Sequence, residues 1–178
     1  MRLVKSGNIV EDDFIRWQSE EPLPDEVAGI VPHTRLLAEP ALLDRAAPTG
    51  VIWPNNRDIS ELAPFVDRLT LIALVFPSFK DGRAYSQARI LREQYGFAGE
   101  LRATGNVLRD QFLFMLRAGF DAFEVAKDAD GAAFPEAIRR YSVFYQPTGD
   151  GRRTARHGRL LGAPATAPRA RETSFQQT

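Results

Sequence analysis

Leu69-Thr70-Leu71-Ile72-Ala73-Leu74-Val75-Phe76 decides the fold. Apart from Thr70 the run is apolar, without the alternation of a strand that has one wet face. Near-continuous apolar strands belong to parallel sheets, where helices cover the faces. The sequence on either side repeats the theme. Pro77–Gly82 reads as a loop. Ala84, Ala88, Leu91 and Tyr95 then fall on one face of a helix over about 83–95, and Gly96 supplies its stop. Glu100–Thr104 is a second strand. Asn106 is placed to cap a second helix running to Ala118, with Leu108, Phe112, Met115 and Leu116 on its apolar face and Gly119 as its stop. Ala122–Val125 is a third strand. Strand ends near Phe76, Thr104 and Val125 keep the rhythm of repeated βα units. The expected fold is α/β, a mostly parallel sheet forming either a partial barrel or an open sheet.

Upstream, Arg2–Lys5 and Asn8–Val10 flank Ser6-Gly7, the chemistry of a β-hairpin turn. Pro22, Pro24, Pro32, Pro40 and Pro48 punctuate residues 11–50, leaving room only for short elements such as a helix at Pro40–Arg45. Val51-Ile52-Trp53 is a short apolar run stopped by Pro54. Asp58 can cap a helix to about Arg68, limited by Pro64. A helix near Pro135–Arg140 and a strand at Tyr141–Tyr145 complete a single α/β domain over residues 1–148. Residues 149–178 are rich in Gly, Pro, Ala, Thr and Arg and read as a disordered basic tail. That tail carries six arginines against Asp150 and Glu172, a net +4 balanced by −4 over the rest.

The chain has 178 residues, of which 44% are hydrophobic, enough for one core. It contains no cysteine, which excludes disulfides, thiolate-held iron–sulfur clusters and Cys-x-x-Cys redox chemistry. Its two histidines, His33 and His157, are too far apart in the chain for a two-His metal motif. A lone His33 beside Pro32 reads as a surface or core-edge residue, and His157 as solvated. No stretch is apolar and long enough to span a membrane. The first residues lack the apolar core of a signal peptide, which points to the cytoplasm. A net charge of zero leaves no footprint for nucleic acid. Neither a Gly-x-Gly-x-x-Gly fingerprint after a strand nor a Walker loop is present.

Ligands of parallel α/β sheets bind beyond the carboxyl ends of the strands. Three loops qualify. The first holds Ser78, Lys80, Asp81 and Arg83 and leads into Tyr85, Ser86 and Arg89. The second holds Asn106 and leads into Arg109 and Asp110. The third holds Lys127 and Asp128. Lys80, Arg83 and Arg109 suit an anion, or a partner's acidic groups. The structural alternatives are that Asp81 caps the following helix and that Arg109 pairs with Asp81 or Glu124. Whether Arg102 and Glu124 point into the fold is left open by the sequence.

The run Phe76-Pro77-Ser78-Phe79-Lys80-Asp81-Gly82-Arg83-Ala84-Tyr85-Ser86-Gln87-Ala88-Arg89, with Gly99–Ala103, Gly105–Gln111 and Gly119–Glu124, resembles a bacterial family filed as domain of unknown function 934. The resemblance implies a place in assimilatory sulfite reduction, beside sulfite reductase and the reductase that forms sulfite, under an oxidoreductase label. It brings no catalytic residues. It implies an accessory protein that binds sulfite reductase and supports its electron delivery, assembly or stability. The alternative is a small enzyme holding an oxyanion or flavin at the carboxyl ends, with Tyr85 or Asp81 in proton transfer. No cofactor is evident, although a noncovalent flavin needs no short motif. Open sheet edges also suit a homodimer.

Overall fold

A computed structural model describes residues 1–18, 21–148 and 154–160. Eight strands make one sheet: β1 (Arg2–Lys5), β2 (Asn8–Val10), β3 (Ile15–Arg16), β4 (Gly29–Pro32), β5 (Thr49–Trp53), β6 (Leu71–Phe76), β7 (Glu100–Gly105) and β8 (Ala122–Val125). Their order is β2-β1-β8-β7-β6-β5-β4-β3. From β3 to β8 all neighbours are parallel, while β1 pairs antiparallel with both β8 and β2. The sheet is a curled half-barrel, as one of the two expected architectures has it.

The curl follows from chain connectivity. The edge strands β2 and β3 are joined by residues 11–14 alone. Seven steps between strands put the edges of a flat eight-stranded sheet roughly 34 Å apart. The path from Val10 to Ile15 reaches at most about 18 Å. The sheet must therefore bend until this four-residue strap spans its mouth.

The two faces of β6 separate the two interiors. Ile72, Leu74 and Phe76 join the large core, with Trp53, Val31, Phe112 and Phe123. Helices cover that face: α1 (His33–Ala38), α2 (Arg83–Glu93), α3 (Phe112–Ala118), α4 (Asp128–Ala132) and α5 (Phe134–Arg139), with a 3₁₀ segment at Ile59–Arg68. Leu71 and Ala73 point to the concave side, where they form a small cluster with Ile30, Ile52 and, from the strap, Phe14. Burial on both faces is why β6 shows no alternation.

The hairpin, β6 to β8, α2 and the glycine stops follow the sequence reading, and the short apolar run at Val51–Trp53 lies in β5. Gly96 and Gly119 adopt the left-handed φ of +64° and +108° expected after a helix. Asp58 accepts from Ser60 N at 2.9 Å, but the segment it caps is 3₁₀, with Pro64 inside. Other expectations are corrected. Asn106 caps no helix. Gly105 turns left-handed at φ +92°, Asn106 N donates to Phe76 O at 2.8 Å, and Leu108 remains extended. The helix starts only at Phe112, after a 3₁₀ turn at Arg109–Gln111. Tyr141–Tyr145 forms no strand. Phe144 makes a single bridge to Thr154 and lies under the Arg117 guanidinium, 3.8 Å from its ring centre. The proline-rich segment holds only short elements, as expected, among them β3, β4 and α1, whose positions the sequence did not mark. The described part of the expected tail carries α6 (Ala155–Leu160). The rest of the tail, and the side chain of His157, lie outside the described residues. No helix among the described residues is long and apolar enough to cross a membrane.

Candidate functional site

The carboxyl ends of β5, β6 and β7 bring two of the predicted loops together. Gln111 Nε2 donates to Phe79 O at 3.0 Å, tying the segment after β7 to the loop after β6. Gly105 makes the approach possible. A Cβ there would lie 2.5 Å from Phe76 O. Gln87 of α2 donates to the carbonyls of Pro54 and Arg57, fixing the end of β5 against the same helix. The third loop stays apart, with Asp128 paired to Arg2 at 2.9 Å.

Several predicted charges are already spent inside the protein. Arg83 grips Asp81 with two bonds, 3.0 and 2.6 Å, and its backbone N–H donates to the same carboxylate. That pairing holds the Asp81 carboxyl far below its usual range. The buried Asn55 side chain, 7% exposed, contributes to the same shift from beyond ordinary hydrogen-bond distance. Arg89 pairs with Glu93 on the exposed side of α2, a turn beyond the strand ends. Ser78 Oγ accepts weakly from Lys80 N at 3.4 Å, and Lys80 lies over the exposed Phe79 ring. Ser86 is exposed. Tyr85 packs edge-on against Phe76 and Phe120. Burial, then the charge of Asp110, pushes its phenol up to about 12. A phenol so weakly acidic is poorly matched to proton transfer near neutral pH.

Arg109 pairs with neither predicted partner. Asp81 is taken by Arg83, and Glu124 by groups on the concave face. Arg109 and Asp110 instead line an open cleft of about 780 Å³ against α4 and α5, with Arg139, Arg140, Glu136 and Tyr141. Sequence reading saw Arg139 and Arg140 only as the end of a helix. Two successive arginines beyond its last apolar turn were the available signal.

At the end of β4, His33 meets the buried Trp53 ring edge-on at 5.6 Å. Burial, then Arg57, lowers its pKa, while Glu61 opposes the shift. Its placement is that of a core-edge histidine.

The concave face answers the question left open for Arg102 and Glu124. Both point inward. Arg102 is 1% exposed and donates to Asp12 at 2.5 and 2.9 Å, Glu100 at 2.8 Å and Glu124 at 3.2 Å. Glu124 also accepts from Arg16 and, at 2.6 Å, from Thr104. Lys5 reaches Glu100 at 2.8 Å. Burial disfavours the Arg102 charge, but Asp12 and Glu100 outweigh it and raise its pKa. Burial pushes the Glu124 carboxyl up, and the bonds from Arg16 and Thr104 bring it net below its ordinary value. Three cations meet three carboxylates here. Such a network is satisfied internally and pins the strap across the mouth of the half-barrel. Among the described residues no three His, Asp or Glu side chains converge as metal ligands.

Fold and site together define an α/β half-barrel with an ion-paired interior and its available polar groups outside, at the carboxyl ends of the strands. The chain belongs to the family described as bacterial protein of unknown function (DUF934), whose model matches residues 50–156. Among curated proteins none matches it.

Proposed function

We propose that this chain is an accessory protein of assimilatory sulfite reduction that works by binding sulfite reductase and supporting its electron delivery, assembly or stability. The family resemblance supplies the pathway. The observation that favours binding over catalysis is the composition of the outer surface around the candidate site. Arg83, a predicted anion- or partner-binding cation, is paired with Asp81, whereas Phe79 and Leu108 in the loops, Phe114 on α3, and Tyr141, Val143 and Tyr145 after α5 are 38–82% exposed. Phe114 and Tyr141 lean on each other at 6.3 Å between ring centres. Exposed aromatics interleaved with arginine are the composition of a protein contact surface. A chain without cysteine needs no redox centre of its own to serve a reductase in this way.

The second reading is a small oxidoreductase or other enzyme holding an oxyanion or flavin at the same ends of the strands. Trp53 Nε1 favours it, since it is a buried donor without a hydrogen-bond partner among the described residues. One experiment separates the two. The purified protein is examined for visible absorbance, and its native mass is measured alone and mixed with sulfite reductase. A colourless protein that forms a stable complex supports the accessory role. A coloured protein, or one that leaves the mass of the reductase unchanged, overturns it. A mass of two chains for the protein alone would establish the homodimer that its sheet edges suit.

A further inference from the structure

Residues 1–148 contain fourteen arginines. Eleven of them bond to a carboxylate or a backbone carbonyl. The remaining three, Arg109, Arg139 and Arg140, have no side-chain partner among the described residues, and all three line the same cleft. In a protein that pairs its arginines so thoroughly, this convergence leaves three guanidinium groups uncommitted in a cleft that also holds the carboxylates of Asp110 and Glu136.

We propose that the cleft binds an organic phosphate ester of about nucleotide size. Three guanidinium forks exceed what a single carboxylate would neutralise and match the several oxygens of a phosphate. The volume of about 780 Å³ is far larger than a bare oxyanion and lies in the range of small-molecule sites. Leu113, which is buried, with Ala132, Ala133 and Pro135, gives the cleft apolar lining, and the half-exposed Tyr141 ring that also lines it offers a surface on which a flat ring can stack. Asp110 and Glu136 add acceptors at the rim. Acceptors repel a bare anion and welcome a ligand that also carries hydroxyl or amino donors. The phosphate of the ester faces the arginines, its ring lies on Tyr141, and its donors meet the two carboxylates. The cleft shares Tyr141 with the surface proposed to meet the reductase, but small-ligand binding is read without the reductase, so either can fail alone.

The test is calorimetric titration of the full chain with adenosine monophosphate and flavin mononucleotide, and with inorganic phosphate and adenosine as part-ligands. The proposal expects saturable binding of at least one of the two esters, tighter than either part. It expects that affinity to fall about tenfold or more in Arg139→Ala/Arg140→Ala and again in Arg109→Ala, and to be unchanged in Arg68→Ala. Arg68 is a surface arginine paired with Asp44 elsewhere. Because none of the three cleft arginine side chains is bonded among the described residues, their variants keep the wild-type melting temperature, so lost binding is not lost folding. Absence of saturation by both esters overturns the proposal. So does inorganic phosphate binding as tightly as the esters, or ester binding that ignores the arginine substitutions.

Discussion

The concave face and the outer cleft use the same residue in opposite ways. Inside, Arg102 is sealed from water and bonded to three carboxylates. Outside, Arg109, Arg139 and Arg140 face solvent with no partner among the described residues. A buried guanidinium is tolerated only when its donors are answered, so the interior network can hold the strap but has nothing left to offer a ligand. Exposed guanidinium groups cost little unpaired, and they remain available. The two regions also differ in where their residues lie in the chain. Lys5, Asp12 and Arg16 precede the part matched by the family model while Glu100, Arg102 and Glu124 lie within it, whereas the cleft is built wholly within it. Structural and binding charge are thus separated by the sheet itself.

The largest effect should come from breaking the interior. Arg102→Ala leaves Glu100 and Glu124 facing the concave side without their shared cation, and should cost about 3–5 kcal/mol in urea unfolding. A loss below about 1 kcal/mol would show that the network is not holding the fold. Next comes Gly105→Ala, which needs a left-handed backbone with a Cβ against the Phe76 carbonyl. Its expected cost is about 1–3 kcal/mol by the same measurement, with the 79–111 tie loosened.

Acid should act on the same interior. The Glu124 pKa is lowered in the folded chain, so its contribution is complete above its ordinary value of 4.5 and is lost as pH falls through the folded value. Urea midpoints for wild type and Glu124→Gln should diverge above pH 5 and approach each other below pH 4 (about the carboxylate range). Parallel curves would remove Glu124 from the account. The smallest effect belongs to the outside. Arg109→Ala, Arg139→Ala and Arg140→Ala should each change stability by less than about 0.5 kcal/mol. A larger loss would mean that the cleft arginines are structural as well.

The fold from residue 50 to 125 is legible because β6 is apolar on both faces and glycines close the helices at left-handed positions. The half-barrel is much less so. The edges are joined by Glu11–Phe14, and nothing in those four residues announces that β3 and β2 lie at opposite ends of one sheet. Proline misleads at β4. Pro32 is its last residue, where a strand tolerates it, yet in sequence it reads as a break. The interior network is hidden for a different reason. Glu100-Leu101-Arg102-Ala103-Thr104 alternates like a strand with a wet face. Period two states that two faces differ and does not say whether the polar one meets solvent or the inside of a curled sheet. The candidate site is half visible in the sequence: Arg109 and Asp110 lie at a strand end within the βα rhythm, while Arg139, Arg140 and Tyr141 lie beyond it. Asn106 misled because its residue type suits a cap, but the turn at Gly105 carries the chain away before a helix begins.

Hydrogen exchange measured by mass spectrometry, on the chain alone and with sulfite reductase, tests the central claim most directly. If the outer surface binds and the interior only holds the fold, protection should appear at 108–115 and 139–145, with 12–16 and 100–104 exchanging as in the free chain. Protection centred on the strap and β7, or none at any segment, would contradict the account.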